Sequence, residues 1–360
     1  MKKVAIITMC GNYNYGNKLQ NYALQYSLQK RNCKVYSIWN KDYKPFSKQS
    51  INCFIQHIKN CINYVLRRNY HQIKNSYFIG FNKRFLNYYH KKVYNSECDF
   101  LKGKFDKIFI GSDQIWKYFA RGDKFGYLEF GLFEDQNKVF SYAPSFGISK
   151  IPSNQIVVYK KGLEHLNMIS VREQSGVELV KSLSGRDAVW VLDPTMLLNE
   201  QEWNCIAKKP EFISDNDDYI LVYFLGNSVQ INPIRMLAKE RNLKIICINP
   251  GTFEFYHSGP CEFVYLIKNA KMILTDSFHA CTFSIIYNKP FYVFERKDSE
   301  ESMISRIDSL LTRYSLIHRK IDSIEDILFD DFSLDDNTIN MLKIDMKKSN
   351  DFIDECLNRE

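Results

Sequence analysis

The segment VAIITMCGNYNYGNKLQNYALQY, residues 4–26, contains the pattern that decides the fold. Val4–Met9 is a short, largely β-branched apolar run, which is typical of a buried strand in a parallel sheet. Residues 11–17 are polar and contain two glycines, as expected of a loop. Four residues then recur at helical spacing on one face: Leu19, Tyr22, Ala23 and Tyr26. The segment therefore predicts a strand–loop–helix unit.

The same alternation of short apolar runs and amphipathic segments continues along the chain and predicts an α/β protein with parallel sheets. The further predicted strands are Val35–Trp39, Lys107–Ile110, Val139–Ala143, Met168–Val171, Ala188–Leu192, Tyr219–Leu225, Lys244–Ile248, Met272–Thr275 and Phe291–Phe294. A chain of 360 residues exceeds the usual span of one core. Because residues 208–218 are polar, we expect domains at 1–207 and 208–321, followed by an acidic helical tail at 322–360.

The composition indicates a cytoplasmic protein rather than a membrane or secreted one. No apolar run reaches the roughly 18 residues that a membrane span needs. The N-terminal apolar run, Val4–Cys10, resembles a signal peptide only superficially, since it leads directly into the loop and helix. The ten cysteines form no C-x-x-C pair, which argues against disulfides and structural zinc.

The positive charge is concentrated in one segment. Residues 41–104 hold 13 Lys or Arg against 3 acids, so the rest of the chain sums to −2 within a total of +8. This Tyr-rich segment, with long basic helices predicted over residues 50–92, is expected to be an insertion in the first domain. It is either a solvated helical surface or a contact for anionic lipid or a lipid-linked glycan. No nucleic-acid motif is present, so nucleic acid is not an expected partner.

The loops that follow the strands are the expected ligand sites, because ligands bind at the carboxyl ends of strands in open α/β sheets. In the first loop, glycine allows close approach of the backbone, and the following helix offers free N–H groups. This loop matches neither a P-loop nor a dinucleotide-binding pattern, so no nucleotide cofactor is predicted. In the second, residues 111–116, the polar side chains suit either sugar hydroxyls or helix capping. The third, residues 141–147, is a polar turn.

Two later loops carry the residues best suited to chemistry. Arg172 follows an apolar strand, where it could clamp a carboxylate or phosphate or simply pair with Glu173. Ser277 is predicted to cap a helix whose first turn contains His279. That position beside the positive end of the helix dipole suits an anion and favours the neutral imidazole. A structural role for this lone histidine is an equal alternative.

The order of these motifs resembles the polysaccharide pyruvyl transferase family from about residue 4 to about residue 316. The matching motifs are Asn14-Tyr15-Gly16-Asn17 with Leu19–Gln25, then residues 111–116, Ser141-Tyr142-Ala143 with Ser145-Phe146-Gly147, residues 170–173, residues 192–195 and Asp276-Ser277-Phe278-His279. The resemblance implies two Rossmann-like domains facing across a cleft, similar to the GT-B glycosyltransferases. It also implies phosphoenolpyruvate as donor, with Arg172 and His279 as the basic pair that binds it. Some members carry an arginine where this chain has Ser277.

Pyruvyl transfer requires a cation for the donor and a group that exchanges protons near neutral pH, which Arg172 and His279 would provide. Ser277 and Phe278 are expected to complete the donor site. The expected acceptor-binding residues are Asn14, Gly16, Asn17, Gln20, Ser112, Asp113, Gln114, Ser145 and Phe146. No metal is predicted, because this chemistry does not require one and no Asp-x-Asp occurs in these loops. No cofactor is expected, since phosphoenolpyruvate would act as a co-substrate.

The expected acceptor is a sugar of a surface polysaccharide or its lipid-linked precursor, reached in the cytoplasm or at the inner face of the membrane. Two other functions remain open. One is a GT-B-like glycosyltransferase that uses a nucleotide sugar, and the other is a glycan-binding relative without catalysis.

Overall fold

The first strand lies at the centre of a parallel sheet with the order β3-β2-β1-β4-β5. A computed structural model describes residues 1–11, 14–41, 72–117, 126–148, 150–226, 231–249, 256–296, 301–328 and 333–360, without the side chains of 301–305. The five strands are β1 (Lys2–Thr8), β2 (Cys33–Asn40), β3 (Tyr88–Val93), β4 (Lys107–Ile110) and β5 (Val139–Ser141). Because β1 has neighbours on both edges and layers on both faces, its apolar run is buried from Val4 onward.

A short parallel pair continues this unit beyond β5. It consists of β6 (Ser170–Val171) and β7 (Val189–Trp190). The backbone N–H of Ser141 donates to the carbonyl of Met168 at 3.1 Å, which joins β5 to the segment that leads into β6. These strands exist where the sequence predicts them but are shorter than predicted. Their ends are loops that carry site residues.

A second parallel sheet has the order β12-β11-β10-β8-β9. Its strands are β8 (Tyr219–Tyr223), β9 (Lys244–Cys247), β10 (Met272–Thr275), β11 (Phe291–Phe294) and β12 (Lys320–Ile321). The sheet begins directly after the polar segment 208–218. The prediction of an α/β protein with two Rossmann-like units is therefore confirmed.

Helices cover both sheets. They are α1 (Tyr15–Gln29), α2 (residues 72–85), α3 (Ile156–His165), α4 (Gln174–Ser184), α5 (Glu200–Asn204), α6 (Ile231–Glu240), α7 (Pro260–Asn269), α8 (Phe278–Ile286), α9 (Glu301–Arg313) and α10 (Asp336–Asn358). Among the helices described, none combines the length and apolar character needed to cross a membrane.

Helix α1 is buried along almost its whole length because it lies between the two units. Its Tyr15 ring stacks on Phe263 of α7, with ring centroids 4.7 Å apart. Its Tyr15 hydroxyl lies 2.8 Å from the Ser258 hydroxyl. The N-terminus of α1, which follows the first predicted ligand loop, therefore faces the second unit.

The prediction of helices over residues 50–92 is correct only in part. Residues 42–71 lie outside the described part of the chain, and residues 72–85 are helical. Residues 88–93, however, form edge strand β3, which pairs with β2. The exposed Lys91 and Lys92 favoured the prediction of a basic helix over this segment. Charged side chains are, however, also common on edge strands, where they protect the exposed edge of a sheet.

The acidic C-terminal segment contains α10, which returns to the first unit. The Ser349 hydroxyl accepts the backbone N–H of Leu192 at 2.9 Å, just beyond β7. Asp345, on the same helix, accepts from the Arg313 Nε of α9 at 2.5 Å. The helix thus contacts both units beside the cleft.

Candidate active site

The carboxylate of Asp193 links the loops that meet between the two units. Asp193 is 2% exposed, and its Oδ1 accepts hydrogen bonds from the backbone N–H and hydroxyl of Thr195 at 3.0 and 2.8 Å. Its Oδ2 accepts from Arg172 Nη1 at 2.9 Å and from the Ser112 hydroxyl at 3.3 Å. The same oxygen lies 3.7 Å from Nε2 of His279. Three strand-end loops therefore converge on one oxygen atom.

Arg172 lies directly after β6 and is surrounded by acidic groups. Besides Asp193, the carboxylates of Asp113 and Glu173 lie 3.6 and 3.8 Å from its guanidinium. Burial alone would lower the pKa of Arg172, but Asp193, Asp113 and Glu173 together raise it above its usual value. The guanidinium also lies over the Phe278 ring, 4.5 Å from the centroid. Within the described residues, its Nε and Nη2 have no hydrogen-bond partner.

His279 enters the site from the second unit. The Ser277 hydroxyl accepts the backbone N–H of Ala280 at 3.4 Å, so the predicted cap of α8 is confirmed. Burial lowers the pKa of His279, and the neighbouring Asp193 opposes this shift only partly. Burial therefore favours the neutral form of the imidazole. Its Nε2 is buried without a hydrogen-bond partner among the described residues.

Gly16 allows the two units to touch at this histidine. A Cβ atom added to Gly16 would lie 2.0 Å from Nδ1 and 2.1 Å from Cγ of His279. Only glycine permits the first turn of α1 to approach the imidazole this closely. Beside it, Asn14 caps α1 by accepting the backbone N–H of Asn17 at 3.4 Å. Asn17 in turn donates from Nδ2 to Asp113 at 3.4 Å.

The remaining sequence-predicted residues divide between site and scaffold. Gln20 donates to the Thr8 hydroxyl at 2.9 Å and accepts the backbone N–H of Ser112 at 3.4 Å, which supports the Ser112 loop. Ser145 is fully buried, and its hydroxyl accepts the backbone N–H of Gly147 at 3.1 Å.

Gln114 and Phe146 lie outside the central cluster. The Gln114 amide lies against Gly147. Phe146 is fully buried in the core of the first unit, where it stacks on Tyr159 and lies 5.0 Å from the Trp116 ring. This is a packing position.

Two residues of this region had no role predicted from the sequence: Asp193 and Arg306. Arg306 belongs to α9 and is 8% exposed. It lines one cavity together with Arg172 and Phe278. The apolar spacing of Ile307, Leu310 and Leu311 predicts the buried face of α9, but nothing local indicates that the adjacent arginine is turned into a cavity.

Three carboxylates and a histidine lie close together here, as they would in a metal site, but the cationic side chain of Arg172 lies among them. Arg172 contacts Asp113, Glu173 and Asp193, and its fixed charge offsets theirs. Across the described ranges, no group of His, Cys, Asp and Glu side chains has the arrangement of a metal site.

The fold defines the class of protein. The structure is similar to UDP-GlcNAc 2-epimerase from Methanocaldococcus jannaschii, with TM-score 0.50, 14% identity, and coverage of 99% of this chain and 100% of that chain. It is also similar to a putative UDP-N-acetylglucosamine 2-epimerase from Listeria monocytogenes, with TM-score 0.52, 11% identity, and coverage of 98% and 90%. At these identities the likeness shows the fold, which is GT-B-like with two Rossmann-like domains.

The sequence model of the polysaccharide pyruvyl transferase family matches residues 14–299. The chain therefore belongs to the polysaccharide pyruvyl transferase family, as the order of its motifs predicted. No curated protein matches it significantly. Membership supports a transferase of polysaccharide biosynthesis.

Proposed function

We propose that this protein transfers the pyruvyl group of phosphoenolpyruvate to two hydroxyls of a glycan and so forms a cyclic ketal. The observation that carries the proposal is the meeting of Arg172 and His279, from different domains, at one oxygen of Asp193. The N–H groups of Arg172 that make no hydrogen bond within the described residues suit an anionic donor, and a buried imidazole held in its neutral form suits proton transfer.

The proposed reaction balances without a metal or redox partner. A proton adds to C3 of phosphoenolpyruvate, which leaves an oxocarbenium-like centre at C2. One sugar hydroxyl adds to C2 and loses its proton, and the bond from C2 to the bridging oxygen then breaks to release phosphate. The second hydroxyl adds to the same carbon and loses its proton. Of the two hydroxyl protons, one balances the proton on C3 and the other leaves on phosphate.

His279 is suited to accept a hydroxyl proton because burial favours its neutral form before the reaction. The charged imidazolium would then lie 3.7 Å from the Asp193 carboxylate, which raises the pKa of His279 against the effect of burial. Asp193 therefore stabilises the form of His279 that proton transfer creates. Arg172 would hold the donor carboxylate through the N–H groups that make no hydrogen bond among the described residues, while Asp193 fixes the orientation of the guanidinium. Phe278 supports the guanidinium face, and Ser277 orients the helix.

For the acceptor, we propose a hydroxyl-binding surface at the first-domain side of the cleft. Asn17, Ser112 and Asp113 lie there next to the basic pair, and the Oδ1 atom of Asn17 has no hydrogen-bond partner among the described residues. Amide and carboxylate groups of this kind suit sugar hydroxyls.

The reaction can be tested with phosphoenolpyruvate carrying ¹⁸O at the bridging position and a surface-glycan acceptor. Ketal formation breaks the C–O bond, so the label should leave with phosphate, and the glycan should gain the mass of a pyruvyl ketal. A contaminating phosphatase would break the P–O bond and leave the label in pyruvate. Absence of glycan-dependent phosphate release with every acceptor tried would contradict the proposal.

The same experiment separates the alternatives. A parallel arm with UDP-GlcNAc would reveal a nucleotide-sugar transferase through release of UDP. Glycan binding without turnover of either donor would indicate a binding protein.

We also propose that the acceptor is anionic or lies at an anionic membrane surface, on the cytoplasmic side. Of the eight described basic side chains of the segment, Lys74 is buried. The other seven are solvent-exposed: Lys41, Lys83, Arg84, Lys91, Lys92, Lys102 and Lys104. Near an anionic surface, each such residue contributes roughly 1 kcal/mol. Salt-sensitive co-sedimentation with anionic but not neutral vesicles would support recruitment. Equal, negligible binding to both vesicles would favour a soluble acceptor.

A further inference from the structure

Three arginines line the cavity beside the candidate site: Arg172, Arg306 and Arg313. Arg172 pairs with Asp193 at 2.9 Å, and Arg313 binds both carboxylate oxygens of Asp345. For Arg306, no described carboxylate lies within ion-pair distance, and its buried Nε has no hydrogen-bond partner in the described structure. Within the described structure, Arg306 therefore differs from Arg172 and Arg313 in carrying a buried charge without a direct partner.

Such a charge is costly in the free protein. Removing a guanidinium from water is repaid only by close ion pairs and hydrogen bonds. Burial and the nearby Arg172 lower the pKa of Arg306 to about 10, which still leaves it charged at pH 7. A bound anion would supply the partner that the described residues do not.

The two arginines that face the candidate donor site are not equivalent. Arg172 is surrounded by Asp113, Glu173 and Asp193, so the positive field it offers to a ligand is largely cancelled. Its remaining N–H groups can orient a carboxylate, but a group with two negative charges would also meet the surrounding acids. Arg306, with none of these acids in contact, offers more net charge to such a group.

We propose that Arg306 binds the phosphate of the donor, across the cleft from the carboxylate held by Arg172. The identification of that donor as phosphoenolpyruvate rests on the proposed function. Since Arg306 comes from α9 of the second domain and Arg172 from the first, one donor molecule would bridge the two domains.

Calorimetric titration with inorganic phosphate, phosphoenolpyruvate and pyruvate tests this directly. Replacing Arg306 by glutamine should weaken phosphate and phosphoenolpyruvate binding by roughly 10- to 100-fold, the usual effect of losing hydrogen bonds to a charged group. Pyruvate lacks a phosphate, so its binding should change little. Arg306→Lys should give intermediate affinity, because the ammonium keeps the charge but loses the planar fork.

Thermal unfolding distinguishes ligand binding from a structural role. Without ligand, Arg306→Gln should unfold at the same temperature as the wild type or higher, since it removes an unpaired buried charge. It should also lose the stabilisation that phosphate gives the wild type. Arg319 provides the matched control, as a buried arginine outside this cavity that donates to the Tyr292 hydroxyl at 3.1 Å. Arg319→Gln should lower the melting temperature and leave phosphate affinity unchanged.

Wild-type phosphate affinity in Arg306→Gln, or equal losses for phosphate and pyruvate, would overturn the assignment. The inorganic phosphate titration does not depend on turnover. Failure of the pyruvyl transfer assay with intact, Arg306-dependent phosphate binding would refute the proposed function alone. Turnover of phosphoenolpyruvate with an unaffected Arg306→Gln variant would refute this inference alone.

Discussion

Replacing Gly16 by alanine should disable the site through a single methyl group. The new Cβ would lie 2.0 Å from Nδ1 of His279, whereas ordinary contact begins at 3.4 Å. The ring or the start of α1 must therefore move by about 1.4 Å. Because misplacement of a reacting group by about 1 Å can cost on the order of 10²-fold in rate, we expect a loss of turnover of that size.

Two opposing terms set the stability of this variant. Alanine is preferred over glycine in helices by roughly 0.5–1 kcal/mol, while overpacking of a close contact costs roughly 1–3 kcal/mol. The net expectation is a destabilisation of about 1 kcal/mol. Gly80 is the matched control, because it is also helical but has no atom within 4 Å of an added Cβ. Gly80→Ala should be neutral or slightly stabilising and fully active.

Steady-state kinetics and denaturant unfolding measure both effects. The cause can be verified by a double-mutant cycle, since His279→Ala removes the ring that the methyl group meets. In the His279→Ala background, Gly16→Ala should no longer destabilise the protein. Wild-type turnover in Gly16→Ala, or the same destabilisation in both backgrounds, would refute the reasoning.

The other predictions concern the charged groups. His279→Ala should lower turnover by on the order of 10²-fold or more without unfolding the protein, whereas near-normal activity would return the residue to a structural role. Arg172→Lys should raise the KM of the donor more than that of the acceptor, because an ammonium lacks the planar fork; an acceptor-only defect would contradict this. Burial lowers the pKa of His279 below 6.5 in the folded protein, so the unfolded chain binds the proton more readily and stability should fall as pH drops below 6.5. His279→Asn should flatten that pH profile of unfolding free energy, and an unchanged slope would count against it. Activity should survive EDTA, and loss restored by magnesium or manganese would favour the nucleotide-sugar alternative.

The sequence alone determined the elements and many residues near the site. The strands could be predicted because buried parallel strands are continuous apolar runs, as in β1 and β10. The cap of α8 could be predicted because Ser277 acts within one helical turn. Arg172 and His279 stood out because each follows a strand, where the topology of an α/β sheet brings ligands.

Tertiary structure decided what these residues contact. Strand β3 forms because it pairs with the free edge of β2. Its lysines, taken without that pairing, fit the pattern of a basic helix. Asp193 joins Ser112, Arg172 and His279, which are far apart in the chain, and no local spacing encodes that meeting. Glycine is required at position 16 because of the His279 ring, which lies more than 260 residues further along the chain. Arg306 lines the cavity only because α9 docks beside Arg172. Hydrophobic periodicity specifies which face of a helix is buried, but the partner charge and the exact approach arise only when the two domains come together.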